Sequence, residues 1–246
     1  MIQRLKLSAL YLGNVYEISF VFQWLRKGML EVGFKPKGIF FDLDGTLVDS
    51  SEAYLEAARV SFRSIGQTPP TKEMMLEIPR RLEQGFPITD ITNGETKRFL
   101  KMYLRTYYTV TPKKTKLLPN VKAALKTLSL RSKLAVVTMR YVPRQSIIRE
   151  LEFFGISEYF AQVVTSLGGF KPKPSPEALL HCVKTFGLIS GECVMAGDSV
   201  NDIRAGKAAG IPTVAVLSGL FGCEELEKEK PDLILNDVTA LPEHVI

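Results

Sequence analysis

The sequence predicts an α/β protein, a doubly wound parallel sheet with an all-helical insertion after its first strand. Three observations carry this expectation. The apolar run Ile39-Phe40-Phe41, bounded by Gly38 and by Asp42-Leu43-Asp44-Gly45, reads as a buried parallel strand that delivers Asp42 to the carboxyl edge of a sheet. From Pro119 onward, short apolar runs alternate with helical segments, the pattern of repeated strand-helix units. Between these regions, Ser50 to about Tyr108 is helical in character and contains no strand-like run, which marks an insertion.

The elements follow in order. Ser50 or Ser51 caps a helix reaching Ile65, with Ala53, Leu55, Ala57, Ala58 and Phe62 as its apolar positions. Gly66-Gln67-Thr68-Pro69-Pro70 ends it, and further helical stretches are divided by Gly85-Phe86-Pro87 and Asn93-Gly94. A helix over Val121–Leu130 then leads to a strand over Leu134–Val137 that ends in Thr138, and a helix over Pro143–Phe154 is stopped by Gly155. The short strand Gln162–Thr165 opens into Gly168-Gly169-Phe170-Lys171-Pro172-Lys173-Pro174-Ser175-Pro176, a loop stiffened by prolines that precedes a helix over Glu177–Phe186. Strand Cys193–Ala196 meets Gly197-Asp198-Ser199-Val200-Asn201-Asp202; a helix to Ala209, strand Thr213–Val216 and edge strand Leu233–Leu235 complete the sheet. The expected organisation is an extension at 1–35, a core at 36–48 and 117–246, and a helical cap at 49–116.

Composition excludes disordered and fibrous classes, with 46% apolar and 24% charged residues over 246. The net charge of +6 suits a small anionic substrate. It is concentrated between Thr96 and Arg149, which contain no Asp or Glu. That stretch reads as a solvated basic face, and no nucleic-acid partner is expected. Cys182, Cys193 and Cys223 have no metal-ligand spacing and form no even-numbered framework, which fits a reducing cytoplasm. With only His181 and His244, histidine-based zinc sites and triads lack material. Leu7–Leu25 is apolar but interrupted by Asn14, Glu17 and Gln23. An amphipathic helix on a surface, or a translation start at Met29, is expected in preference to a membrane span. A monomer or homodimer is expected.

Asp42 and Asp44 are two residues apart, so an extended chain points both to one side. Carboxylates held this close need a cation or a shared proton; the pair implies a metal ion, proton transfer or both. Gly45 permits the sharp turn that follows. Later strand ends add Thr138, Lys171, Asp198 and Asp202 to the same edge.

In these four ordered segments the chain resembles the haloacid dehalogenase superfamily. The matching residues are Asp42-Leu43-Asp44-Gly45-Thr46, Thr138, Lys171-Pro172-Lys173-Pro174 and Gly197-Asp198-Ser199-Val200-Asn201-Asp202, and the resemblance spans Lys37 to Asp237. It implies a Rossmann-like core and a phosphatase acting through a phosphoaspartate. Asp42 is then the nucleophile, and Asp44 the general acid and base, with a pKa raised by its neighbour. Mg²⁺ is held by Asp42, Asp198 and the backbone carbonyl of Asp44, while Asp202 acts from behind the ligands. Thr138 and the Met139 N–H bind phosphate, and Lys171 neutralises the phosphoryl group. Two positions depart from the family pattern: Met139-Arg140 follows Thr138 where an Asn is usual, and Ser175 stands where many relatives have Asp.

The insertion is similar to the helical cap of the phosphoglycolate phosphatase and β-phosphoglucomutase branch. That similarity implies a small phosphorylated metabolite, with phosphoglycolate first and a sugar phosphomutase or pyrophosphatase as alternatives. Arg80, Arg81 and Gln84, beside Gly85, are the candidate substrate contacts of the cap. A non-catalytic anion-binding protein is the remaining alternative, and the intact acidic set argues against it.

Overall fold

The apolar run after Lys37 becomes strand β1 (Gly38–Phe41), buried at every residue, in the computed structural model, which describes residues 35–245. The expectations for the extension lie outside the described residues. Two short strands, β2 (Val48–Asp49) and β3 (Lys116–Leu117), pair antiparallel where the helical insertion leaves and rejoins the sheet. Two-residue strands carry no periodicity that a sequence reading could detect.

Between them run helices α1 (Ser51–Ser64), α2 (Lys72–Glu83) and α3 (Thr96–Lys114). After β3 come α4 (Val121–Ser129), β4 (Lys133–Thr138), α5 (Arg144–Phe153), β5 (Phe160–Thr165) and α6 (Glu177–Phe186). Strand β6 (Cys193–Gly197), α7 (Val200–Ala208), β7 (Thr213–Val216), α8 (Cys223–Lys228) and β8 (Leu233–Leu235) follow. The main sheet has the order β5-β4-β1-β6-β7-β8 and is parallel throughout. The predicted fold class holds.

Register explains how distant residues meet. Phe41 lies level with Val136 of β4 and Ala196 of β6, so Asp42, Thr138 and Asp198 emerge near one stretch of the carboxyl edge. Open α/β sheets place ligands at this edge, where strand order reverses direction. On one face of the sheet, Phe40, Val137 and Met195 pack against Leu179, Cys182 and Phe186 of α6; the Phe40 and Phe186 rings are 5.8 Å apart. A separate apolar group joins Val200 and Ile203 of α7 to Ala215, Phe221 and Leu226.

The helical insertion has its own core. Phe99, Tyr103, Tyr107 and Thr111, each four residues after the last, form the buried stripe of α3, as a 3.6-residue period requires. The three aromatics pack with Ala53, Ala57 and Phe62 of α1 and with Met75 and Ile78 of α2. Thr71 caps α2, its hydroxyl accepting from the Met74 N–H at 3.4 Å. Ser50 occupies the N-cap position of α1 but makes no side-chain cap bond; its hydroxyl donates to Asp44 instead.

Phe40 supplies the large side chain at the centre of the sheet and is fully buried. Phe40→Ala is expected to lower unfolding free energy by ~3–5 kcal/mol, read as a lower urea midpoint at unchanged slope.

Candidate active site

Asp42 follows the last residue of β1, and its N–H donates to the Ala196 carbonyl at 2.9 Å. Its carboxylate accepts from Lys173 Nζ at 2.7 Å. The same ammonium donates to Asp202 Oδ1 at 2.5 Å and to the Val137 carbonyl at 3.1 Å. All three donors of the lysine are thereby used. Burial opposes the charge on Lys173, but Asp202 and Asp42 outweigh it and hold the pKa above the usual lysine range.

This placement corrects one expectation. Lys171 was expected on the phosphoryl group, yet its side chain is 80% exposed and its Nζ lies 3.6 Å from Glu177, whereas the Lys173 side chain is 3% exposed. The segment contains two lysines two residues apart, and the loop path selects the second for the sheet edge. Both belong to Lys-Pro-Lys-Pro, so motif matching alone could not choose between them.

Asp198 follows β6 and is 5% exposed. It accepts from Thr46 Oγ1 and from the Leu220 N–H, both at 3.2 Å. Its surroundings need glycine: a Cβ at Gly45, where φ is +78°, would lie 2.5 Å from Asp198 Oδ2, and one at Gly219 would lie 1.7 Å from it. Asp202 completes the N-terminal turn of α7, where its Oδ2 accepts from the Ser199 N–H at 3.1 Å and hydroxyl at 2.9 Å. It therefore ties Lys173 to the loop before α7.

Oxygens of Asp42, Asp198 and Asp202 lie within 4.8 Å of one another, all three residues buried. Burial raises the Asp42 pKa to about 7; Lys173 pulls against this, while Asp202 and Asp44 add to it. Burial and then Asp42, Glu83 and Asp202 push Asp198 well above the usual carboxylate range. One ammonium is too little positive charge for this set. Hard oxygen donors with a charge deficit in a cradle kept open by glycines fit a divalent cation, and of the three carboxylates Asp202 is the one tied to Lys173 on one side and to Ser199 on the other.

Asp44 has a different partner. Arg140 grips it with Nε on Oδ2 at 2.7 Å and Nη2 on Oδ1 at 2.5 Å, and Nη1 of the same guanidinium donates to Glu150 at 2.5 Å. Tyr107 donates to Asp44 at 3.3 Å, and Ser50 donates as well. Burial opposes the charge, but the guanidinium prevails and holds the Asp44 carboxyl below its ordinary value. The expectation that crowding by Asp42 raises this pKa is thus corrected: the two carboxylates are driven apart in pKa by different cations. The side chain of Asp44 is thus fully engaged by Arg140, Tyr107 and Ser50.

Sequence reading missed Arg140 as a site residue, noting it only as a departure after Thr138. Its signal was a basic residue two positions past a strand end, followed ten residues later by Glu150, the first carboxylate after the acid-free stretch. Thr138 is buried beneath the site, with its hydroxyl accepting from the Arg140 N–H at 3.2 Å.

Thr138 and Met139 join Asp42, Asp44, Lys173 and Asp198 around a cavity of about 280 Å³ whose outer wall comes from α1, α2 and α3. Arg80, Arg81 and Gln84 are not among its lining residues. Arg80 pairs with Glu77 and Glu225 and lies over the Phe221 ring. Arg81 binds Asp90 at 2.7 and 2.8 Å, and Gln84 donates to the Arg80 carbonyl at 3.4 Å. These three expected contacts are corrected, because the face of α2 that carries the basic residues turns to Glu77, Asp90 and Glu225. Glu83 lines the cavity in their place, its pKa pushed up to about 8 by burial and by Asp202, and its carbonyl accepts from Asn201 Nδ2 at 2.7 Å.

Arg140→Met is expected to cost ~3–5 kcal/mol of stability at neutral pH, because it leaves Asp44 and Glu150 buried without their cation. In urea titrations the deficit shrinks toward pH 4, as the stranded carboxyls take up protons. For Asp42 the sign is opposite to that of a salt-bridged carboxylate: a folded pKa of about 7 against 3.8 unfolded gives stability that is full below pH 4 and lost as pH rises toward 7. In EDTA, Asp42→Asn is expected to flatten this decline. Mg²⁺ is expected to raise the melting temperature of the unmutated protein more at pH 7 than at pH 5.

A family model described as haloacid dehalogenase-like hydrolase matches residues 39–216. The phosphoglycolate phosphatase of Photorhabdus laumondii is 31% identical over 215 residues, covering 83% of this chain and 90% of that protein. That of Escherichia coli is 29% identical over 230 residues, with the same two shares of 83% and 90%. The solved structure of a haloacid dehalogenase-like family hydrolase from Streptococcus pneumoniae shares the fold, with a TM-score of 0.70 at 22% identity, over 82% of this chain and 95% of that one. Among the described residues, no helix is long and apolar enough to cross a membrane. With the family model spanning every strand from β1 to β7, the chain belongs to the haloacid dehalogenase-like hydrolases.

Proposed function

We propose that this protein is a Mg²⁺-dependent phosphatase that hydrolyses a small phosphomonoester through a phosphoaspartate. The observation that carries the reading is Asp42, held at the sheet edge by Lys173 at 2.7 Å, beside Asp198, at the floor of a cavity walled by the helical insertion. The relatives named above, phosphoglycolate phosphatases at 29–31% identity, support a phosphatase and make phosphoglycolate the reference substrate.

The chemistry follows from the residues. An oxygen of Asp42 attacks phosphorus, forming an acyl phosphate while the bond from phosphorus to the ester oxygen breaks. Asp44, two residues on, is the group that gives a proton to the departing oxygen and then takes one from the water that opens the acyl phosphate. Arg140 keeps Asp44 ionised, ready for the second step; the first requires Asp44 to gain a proton and loosen from the guanidinium. Lys173 sets a fixed positive charge beside the nucleophile, where negative charge gathers in the transition state. Mg²⁺ on Asp42 and Asp198 would supply further charge neutralisation and orient the phosphoryl oxygens. The Met139 N–H, just past the end of β4, is the main-chain donor assigned to a phosphoryl oxygen, since those of Arg140 and Tyr141 donate to Thr138 and Tyr108. Residues 49–116 serve as a cap that excludes water from the acyl phosphate.

Phosphate release is measured from phosphoglycolate, sugar phosphates, nucleotides and pyrophosphate, with Mg²⁺ or EDTA. Turnover is expected only with Mg²⁺ and is expected to vanish in Asp42→Asn. Lys173→Met is expected to lose ~10²-fold or more in kcat, while Lys171→Ala stays within about twofold. Metal-independent turnover, or an active Asp42→Asn protein, sinks the reading.

A further inference from the structure

We propose that the leaving-group end of the cavity accepts an uncharged, ring-bearing alcohol in place of a short carboxylate such as glycolate. This inference rests on the phosphatase reading and concerns only the part of the substrate that departs.

The cavity wall opposite Asp42 is aromatic. Tyr54, Tyr103, Tyr107 and Tyr108 line it together with Leu82 and Leu104. Tyr54 and Tyr107 stack with centroids 5.1 Å apart and planes at 8°, and Tyr103 continues the stack at 6.5 Å and 4°. Tyr108 closes the end, tilted by 60° against Tyr107. Such a wall offers flat apolar surface with hydroxyls at its rim.

Charge excludes the alternative. Among the described residues, the cations lining the cavity are Lys173 and Arg140. The first is held between Asp42 and Asp202, the second between Asp44 and Glu150. Asp49 also lines the cavity and adds a carboxylate. A leaving group with its own carboxylate would be desolvated here without a partner, which costs far more than burying a neutral ring. The basic residues of α2 that could have met it, Arg80 and Arg81, are bound to Glu77, Glu225 and Asp90.

A third observation is independent of charge. Tyr107 donates to Asp44 and Tyr108 accepts from the Tyr141 N–H at 3.0 Å, but among the described residues the buried Tyr103 hydroxyl has no hydrogen-bond partner. Buried hydroxyls are nearly always partnered, so Tyr103 is the group left to meet a polar atom on the departing molecule. In the reaction the bond between phosphorus and the alcohol oxygen breaks, Asp42 takes the phosphoryl group, and the oxygen leaves with the proton of Asp44.

The test compares kcat/KM in Mg²⁺ for benzyl phosphate, phosphoglycolate and phosphocholine. All three are primary alkyl esters of phosphate and differ in carrying a ring, a carboxylate or a quaternary ammonium. Acetyl phosphate, whose acetate is a weak enough base to depart without a proton from Asp44, reports the phosphotransfer machinery with the least demand on the leaving-group end. Benzyl phosphate is expected to exceed both others by ~10-fold or more. Leu104→Lys, at a position 46% exposed, places a free cation on the wall and is expected to shift the ratio toward phosphoglycolate by ~10-fold. Phosphoglycolate or phosphocholine turned over as well as benzyl phosphate overturns the proposal. So does hydrolysis of acetyl phosphate with none of the three esters cleaved, an outcome that leaves the phosphatase reading intact. Failure to cleave any of the four compounds removes that reading, and this one with it.

Discussion

The structure depends on the ammonium of Lys173, buried among Asp42, Asp202 and the Val137 carbonyl. Two carboxylates facing one buried lysine form a neutral-to-negative knot that ties β1, β4, the loop after β5 and the start of α7 together. Each of its members comes from a different crossover of the parallel sheet, so the knot exists only once the sheet has its final register. Asp198 lies beside this knot without a cation of its own, and burial drives its pKa upward. The deficit leaves oxygen acceptors held in place by the fold with less positive charge beside them than they need.

A second ion cluster stands next to the first and serves a different end. Arg140 spans Asp44 and Glu150, and Tyr107 of α3 reaches Asp44 from the helical insertion. Two aspartates two residues apart thus meet different cations, a point charge at Asp42 and a planar fork at Asp44. Their pKa values move in opposite directions as a result. Separation of this kind gives two identical side chains two different protonation behaviours. The contact through Tyr107 also links the aromatic wall of the cavity to Asp44, so the wall and this carboxylate share a residue.

Much of the fold could be read from the chain. The Ile39-Phe40-Phe41 run and the regular return of short apolar segments after Pro119 each have a local physical cause, burial on both faces of a parallel sheet. Helix boundaries moved by a residue or two, as frayed ends do. The contact residues of the insertion were less legible. Arg80 and Arg81 looked available because a helix sequence shows which residues share a face and not what that face meets; Glu77, Asp90 and Glu225 had already claimed them. The tyrosine stripe of α3 carries no signal of what it meets either, since a stripe four residues apart is buried whether it faces another helix or a ligand.

The sequence by itself determined the doubly wound sheet, the helical insertion and the four acidic positions at the strand ends, because strand length, apolar burial and the turn after Asp44 are short-range properties. Tertiary structure decided which lysine and which arginine those acids obtained. Lys171 and Lys173 are equal in composition and motif, and Arg140 belonged to a basic stretch that looked solvated. Only the path of the loop after β5 and the close packing of α5 and α3 against the edge brought Lys173 to Asp42 and Arg140 to Asp44. Buried charges are paired across the fold at distances of a few ångströms, and sequence spacing carries no information about separations of 131 and 96 residues.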